Sequence, residues 1–266
     1  MAISEMGVRR FGQWNWLGLA TLVRREVMRF VTVWTQTLLA PLVTAGLFLA
    51  VFVLAIGPDR GPVMGVPFIE FLAPGILMMT VMQNAFTNTS SSLMVSKIQG
   101  NIVDTLMPPL SPLELTIGYV AGGIARGLFV AIAIVVVLWL ALGIELSHPI
   151  WALVFAVLGS AFLGGLGLLA AIFAEKFDHM AAITNFIITP LSFLSGTFYS
   201  IERLPPVFEA ISRANPVFYL IDGMRFSVIG ASDSSPWTGL LVSGGFTAAL
   251  MVLLWWLFQR GYRLKS

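Results

Sequence analysis

The chain has 266 residues, 58% of them apolar and only 11% charged; soluble domains run nearer ~45–50% apolar and about 25% charged, so a soluble globular protein is excluded. The net charge is +2, but the basic residues gather at the two chain ends beside apolar stretches, a pattern of membrane topology and not of a nucleic-acid surface. No cysteine occurs, which rules out disulfide and thiolate chemistry.

The first residues, MAISEMGVRRFGQWNW, show no compact apolar core after their arginines and no small-residue cleavage pattern, so no removable signal peptide is expected. Over residues 11–30, Phe11, Trp14, Leu17 and Leu22 alternate with Arg24, Arg25 and Arg29. That pattern suits an amphipathic helix in the headgroup plane; a basic collar that only fixes orientation is the plainer account.

A bilayer core of about 30 Å needs roughly 20 apolar residues in helix, and six runs qualify: 31–56, 71–96, 116–144, 149–174, 180–199 and 237–258. The expected architecture is therefore an all-α integral membrane protein with six transmembrane helices. Arg9, Arg10, Arg24, Arg25, Arg29, Lys97, Lys176, Arg260, Arg263 and Lys265 fall on one side of these spans; Arg60, Arg203, Arg213 and Arg225 fall on the other. The excess places both termini in the cytoplasm.

Within the second span, QNAFTNTSSS carries Gln83, Asn84, Thr87, Asn88, Thr89, Ser90, Ser91 and Ser92. Uncharged polar groups at this depth either bond to neighbouring helices or line a polar path, and this run is long enough for both. The fifth span repeats the theme with Ser192, Ser195 and Thr197 after a kink expected at Pro190. Arg126, inside the third span, is expected to snorkel or to pair with Glu114 or Glu26. Gly118, Gly122, Gly123 and Gly127 around it permit close helix approach.

Between the second and third spans, KIQGNIVDTL at 97–106 leads into MPPLSPLEL. Pro108, Pro109 and Pro112 end one helix and start the next, with Ser111 and Glu114 at capping-box spacing. Residues 200–236 hold too many large apolar side chains for a flexible loop, and prolines at 205, 206 and 216 mark two short helices dipping into the outer leaflet. Asp222 and Arg225, three apart on one of them, form a natural ion pair.

His148 and His179 have no second ligand one helical turn away, and no serine lies near a histidine at matching depth, so neither a metal site nor a catalytic set is expected. No GxxxxGK[ST] loop is present; any ATP that drives this chain binds elsewhere. A secondary transporter or channel would want an acidic or histidine relay inside a span, and the carboxylates here lie at ends or in loops.

LPP at 204–206 followed by NPVFYLIDGMR at 215–225 resembles the terminal signature of ABC-2-type permeases, membrane subunits of bacterial exporters for polysaccharides, nodulation factors and drugs. Its residues are Pro205, Asn215, Pro216, Tyr219, Asp222 and Arg225, with Val217 a small departure. QNAFTNTSSSLMVSKIQGNIVDTLMPPLSPLELTIGYVAGGIARG at 83–127 and AEKFDHMAA at 174–182 are similar to the same family's second-to-third-span region and its loop after the fourth span.

The resemblance implies an interfacial N-terminal helix and a re-entrant helical hairpin before the last span. It also implies a homodimer in the bacterial cytoplasmic membrane, docked on two copies of a separate ATPase that holds the ATP and Mg; this chain itself would carry no cofactor. A coupling helix near 97–106 would seat in that ATPase through Lys97, Ile98, Gln99, Gly100, Asn101, Asp104 and Thr105. Glu175, Lys176 and Asp178 would add a smaller contact. Gln83, Asn84, Thr87 and Asn88, with Ser192, Ser195 and Thr197, would border the path of an amphipathic, lipid-linked, glycan or drug-like substrate.

Overall fold

The computed structural model describes residues 14–55, 61–201 and 204–263. Arg9, Arg10, Phe11, Arg60, Arg203 and Lys265 lie outside them. The described regular structure is helical, save one bridge pairing Val63 with Val66. Five helices are long and apolar enough to cross a membrane: α2 (Trp34–Ala55), α3 (Phe68–Ile98), α5 (Pro112–Leu142), α6 (Pro149–Phe173) and α11 (Pro236–Arg260).

The expected fifth span differs in form. Residues 177–193 are α7 (Phe177–Ile183), a π-helical turn (Thr184–Ile188) and α8 (Thr189–Phe193), about 25 Å of helix at ~1.5 Å per residue. Pro190 supplies the cause: it lacks an amide donor and its ring crowds the carbonyl four residues back, so the turn before it widens. The chain then leaves the helix at residues 194–200, where the carbonyl of Thr197 sits so close to α3 that a Cβ on Gly75 would meet it at 2.5 Å.

α3 is the core of the bundle, buried along most of its length between α5, α6 and α10 (Pro216–Ile229). Small residues on α6 allow the approach: a Cβ on Gly167 would meet the Phe86 carbonyl at 2.4 Å. The glycine face of α5 receives α1 (Trp16–Val31) in the same way, with Leu22 against Gly118 and the Glu26 stem against Gly122. Asn15 and Glu114, then Leu22 and Gly118, then Phe30 and Phe129 advance together. Thus α1 is amphipathic as expected, and its buried face packs alongside the first half of α5.

The external region forms two helices, α9 (Pro206–Ala214) and α10, each opened by a proline at its first position. Only α9 keeps an apolar face exposed, at Val207, Phe208 and Ile211. α10 is buried in protein against α3, α6 and α11.

The residues 97–106 are not one helix. α3 runs through Ile98, Gly100 turns the chain at φ +73°, and α4 (Ile102–Leu106) is a separate short helix. A left-handed turn of this kind favours glycine because no Cβ crowds the following carbonyl.

Candidate functional site

The polar run of α3 divides by helix face. Thr89 donates to the Gly164 carbonyl of α6 at 2.6 Å, and Ser92 donates to Glu26 at 2.8 Å; these are packing bonds. Gln83, Asn84, Thr87 and Asn88 instead line a cleft of about 540 Å³ between α2 and α3, with Arg29 of α1 and Arg126 of α5 at its wall. Gln36, Thr37 and Thr44 of α2 face it from the other side.

Arg29 donates to Asn88 Oδ1 at 3.1 Å and to Ser91 at 3.0 Å. Its burial pushes its pKa below the ordinary arginine range; the field of Glu26 opposes this and that of Arg25 adds to it. Arg126 makes no ion pair among the described residues, so the expected pairing with Glu114 or Glu26 is not found. Glu26 is already engaged by Arg25 at 3.0 Å, Arg29 at 3.7 Å and Ser92. Glu114 accepts from the Ser111 backbone and hydroxyl at 2.6 and 2.8 Å and from the Asn15 amide at 2.5 Å. Arg29 Nε, Asn88 Nδ2 and Arg126 Nε are buried with no hydrogen-bond partner among the described residues.

Ser192, Ser195 and Thr197 lie elsewhere. Each is buried and donates to a nearby carbonyl, of Ile188, Leu191 and Ser192 respectively, closing the turn after α8. Asn215 caps α10 through the Val217 amide at 3.0 Å and donates to Ser195 at 2.7 Å, which ties that turn to the external hairpin.

The signature residues complete this knot. Asp222 accepts from the amides of Asp233 and Ser234 and from the Ser234 hydroxyl, each at 2.8 Å. Arg225 is fully buried, 3.5 Å from Asp222 and 3.8 Å from Asp233; it donates to the Gly196 carbonyl at 2.6 Å and stacks over Phe71 at 4.2 Å. The expected ion pair is thus one edge of a larger network. Asp233 is the member that sequence reasoning missed, and no local spacing marks it.

At the other end of α3, Ile98, Gln99, Gly100, Asn101, Val103 and Asp104 form an exposed knuckle. Lys97 and Thr105 face inward: Lys97 Nζ donates to the carbonyls of Ala171, Ile172 and Ala174 at 2.8–2.9 Å, and Thr105 accepts from Arg25 at 2.8 Å. Glu175, Lys176 and Asp178 are exposed on the adjoining loop, where Arg263 approaches Glu175 at 3.9 Å. The described ends of the chain therefore meet the bundle on the same side as the knuckle.

Residues 18–229 match the family described as ABC-2 type transporter. The chain belongs to that family. Among relatives of this ABC-2 transporter chain, the inner membrane transport permease YadH of Escherichia coli (strain K12) is 35% identical over 251 residues, 94% of this chain and 98% of that protein. Nodulation protein J of Rhizobium leguminosarum bv. viciae is 26% identical over 228 residues, covering 82% of this chain and 84% of its own. The ABC-2 assignment makes the chain a membrane permease of an ABC transporter, and the matched range takes in the cleft, the knuckle and the Asp222–Arg225 part of the buried external network.

Proposed function

We propose that the chain is the permease subunit of an ATP-driven exporter in a bacterial cytoplasmic membrane, working as a homodimer on two copies of a separate ATPase, with both termini in the cytoplasm. The knuckle at 98–104 is the ATPase contact, and the loop at 175–178 a smaller one. The single observation that supports this most is the knuckle's construction. Its outer face is exposed, while Lys97 clamps it to the end of α6 and Thr105 clamps it to α1. A push from a partner is thereby passed to three helices at once.

ATP acts by changing how tightly the partner grips the knuckle in its two states, since only a differential grip shifts a conformational equilibrium. An amphipathic, lipid-linked or glycan-like substrate would move past Gln83, Asn84, Thr87 and Asn88. The inner-membrane placement is supported by the name of the transport permease relative above.

Co-purification of the tagged full chain with its cognate ATPase tests the assignment. Gly100→Arg is expected to abolish complex formation and stimulated ATPase activity, whereas Gly100→Asn, which tolerates the left-handed turn, retains both. Full activity in Gly100→Arg would refute the contact.

A further inference from the structure

The loop that joins α10 to α11, GASDSS at 230–235, has nothing apolar to bury beyond Ala231. Polar bonds attach it. The amides of Asp233 and Ser234 and the Ser234 hydroxyl donate to Asp222, while Asp233 accepts from the Ser200 hydroxyl at 2.5 Å and from the Ile201 amide at 3.3 Å. Arg225 reaches both carboxylates, and its bond to the Gly196 carbonyl ties in the turn at 194–200. The loop, the turn and α10 thus close on one another through a single knot.

The side chains of Asp222, Arg225 and Asp233 are 1%, 0% and 0% exposed. Two carboxylates against one guanidinium leave one negative charge out of water, a cost that hydrogen bonds reduce and that one proton removes. Around them, α3 contributes Phe71 and, in its first turn, Glu70; the loop before α6 contributes Glu145 and His148, with His148 stacked on Phe226. The turn contributes Tyr199, Glu209 and Arg213 of α9 pair with each other, and the first half of α11 holds no titratable residue. None of these groups bonds to the three among the described residues, which exclude Glu202 and Arg203. Burial pushes the Asp222 carboxyl above the usual carboxylate range; Arg225 and the bonds from Asp233 and Ser234 oppose this, and the charge of Asp233 adds to it. The Ser200 hydroxyl can accept as well as donate, so the knot also offers an acceptor to an acid proton.

We propose that Asp222, Arg225 and Asp233 form a proton-binding latch, in which one proton shared by the two carboxylates holds the 230–235 loop shut against the 194–201 turn. Opening the knot returns the carboxylates to water and releases that proton to it. The closed knot binds the proton more tightly than the open one, so closure is favoured in acid and weakens as pH rises above about 4, the ordinary carboxylate range. The proton belongs to the pair and not to either residue alone. Calling this the external end rests on the orientation proposed above; the proton site does not, and its test needs no ATPase.

The test is hydrogen–deuterium exchange mass spectrometry of the purified full chain in lipid nanodiscs at pH 4.5, 6 and 7.5, corrected for the intrinsic exchange rate at each pH. The amides of Ile201, Asp233 and Ser234 report the knot directly, and residues 159–168 of α6 serve as the reference. Protection of the three reporters is expected to fall about fivefold or more between pH 4.5 and 7.5, with the reference unchanged. In Asp233→Asn one carboxylate balances one guanidinium, so protection of the Ser234 amide at pH 7.5 should match the wild type at pH 4.5 and lose its pH dependence.

Wild-type protection that is flat with pH, or that rises with it, would overturn the proposal, as would an equal change in the reference segment. So would lower protection in Asp233→Asn than in the wild type at pH 7.5, through unfolding or otherwise, which would make Asp233 a structural acceptor only.

Discussion

Glu26 is fully buried, and its partners Arg25 and Arg29 are 44% and 34% exposed. Neutralising it by Glu26→Gln leaves two guanidinium groups without their counter-charge, but water screens both. The expected cost is about 1–3 kcal/mol, less than for a fully buried pair, read as a lower unfolding temperature in detergent. Asp222→Asn should cost more, about 3 kcal/mol or above, because Arg225 beside it is fully buried and three donors lose a charged acceptor. If the two variants unfold at the wild-type temperature, the networks carry no stability. The pair Asp222 and Arg225 was legible in the sequence because three residues make a helical turn. Lys97 was not: its acceptors lie at Ala171 to Ala174, more than seventy residues away, and the resemblance had given it a contact with the ATPase instead. Arg126 was misread for a related reason, since the neighbouring carboxylates were committed to Asn15, Ser92, Arg25 and Ser111 by contacts that no local spacing reveals.

Among the elements, helix starts were the most readable, because they depend on neighbouring residues only. Ser111 and Glu114 form the full capping box, and the prolines at 149, 206, 216 and 236 each open a helix. Helix ends and faces were less so: the break at Gly100 and the π turn before Pro190 depend on geometry within one turn, and the burial of α10 depends on three other helices. The proline elbow between α4 and α5 is further held by the Asn15 side chain, which donates to the Pro109 carbonyl at 3.4 Å. Replacing Pro108 and Pro109 by glycine should leave ATPase docking intact while reducing the substrate transported per ATP hydrolysed, since a looser elbow absorbs motion at the knuckle. Transport coupled as in wild type would mean that Lys97 and Thr105 carry the motion without the elbow.

On the scale of the whole molecule, one end of the bundle gathers α1, the knuckle, the 175–178 loop and the end of α11, while the other is closed by the Asp222–Arg225–Asp233 network. That polarity is what a permease driven from one side requires, and the absence of cysteine from the chain makes it directly measurable. Single cysteines at Asn101 and Asp104 on the knuckle, and at Gly61 in the segment before α3 at the opposite end, can each be treated with a short thiol-to-amine cross-linker in membranes containing the cognate ATPase. The account predicts that Asn101→Cys and Asp104→Cys cross-link to the ATPase, with a yield that changes on ATP binding, and that Gly61→Cys does not. Cross-links from Gly61→Cys, or none from either knuckle position, would contradict it.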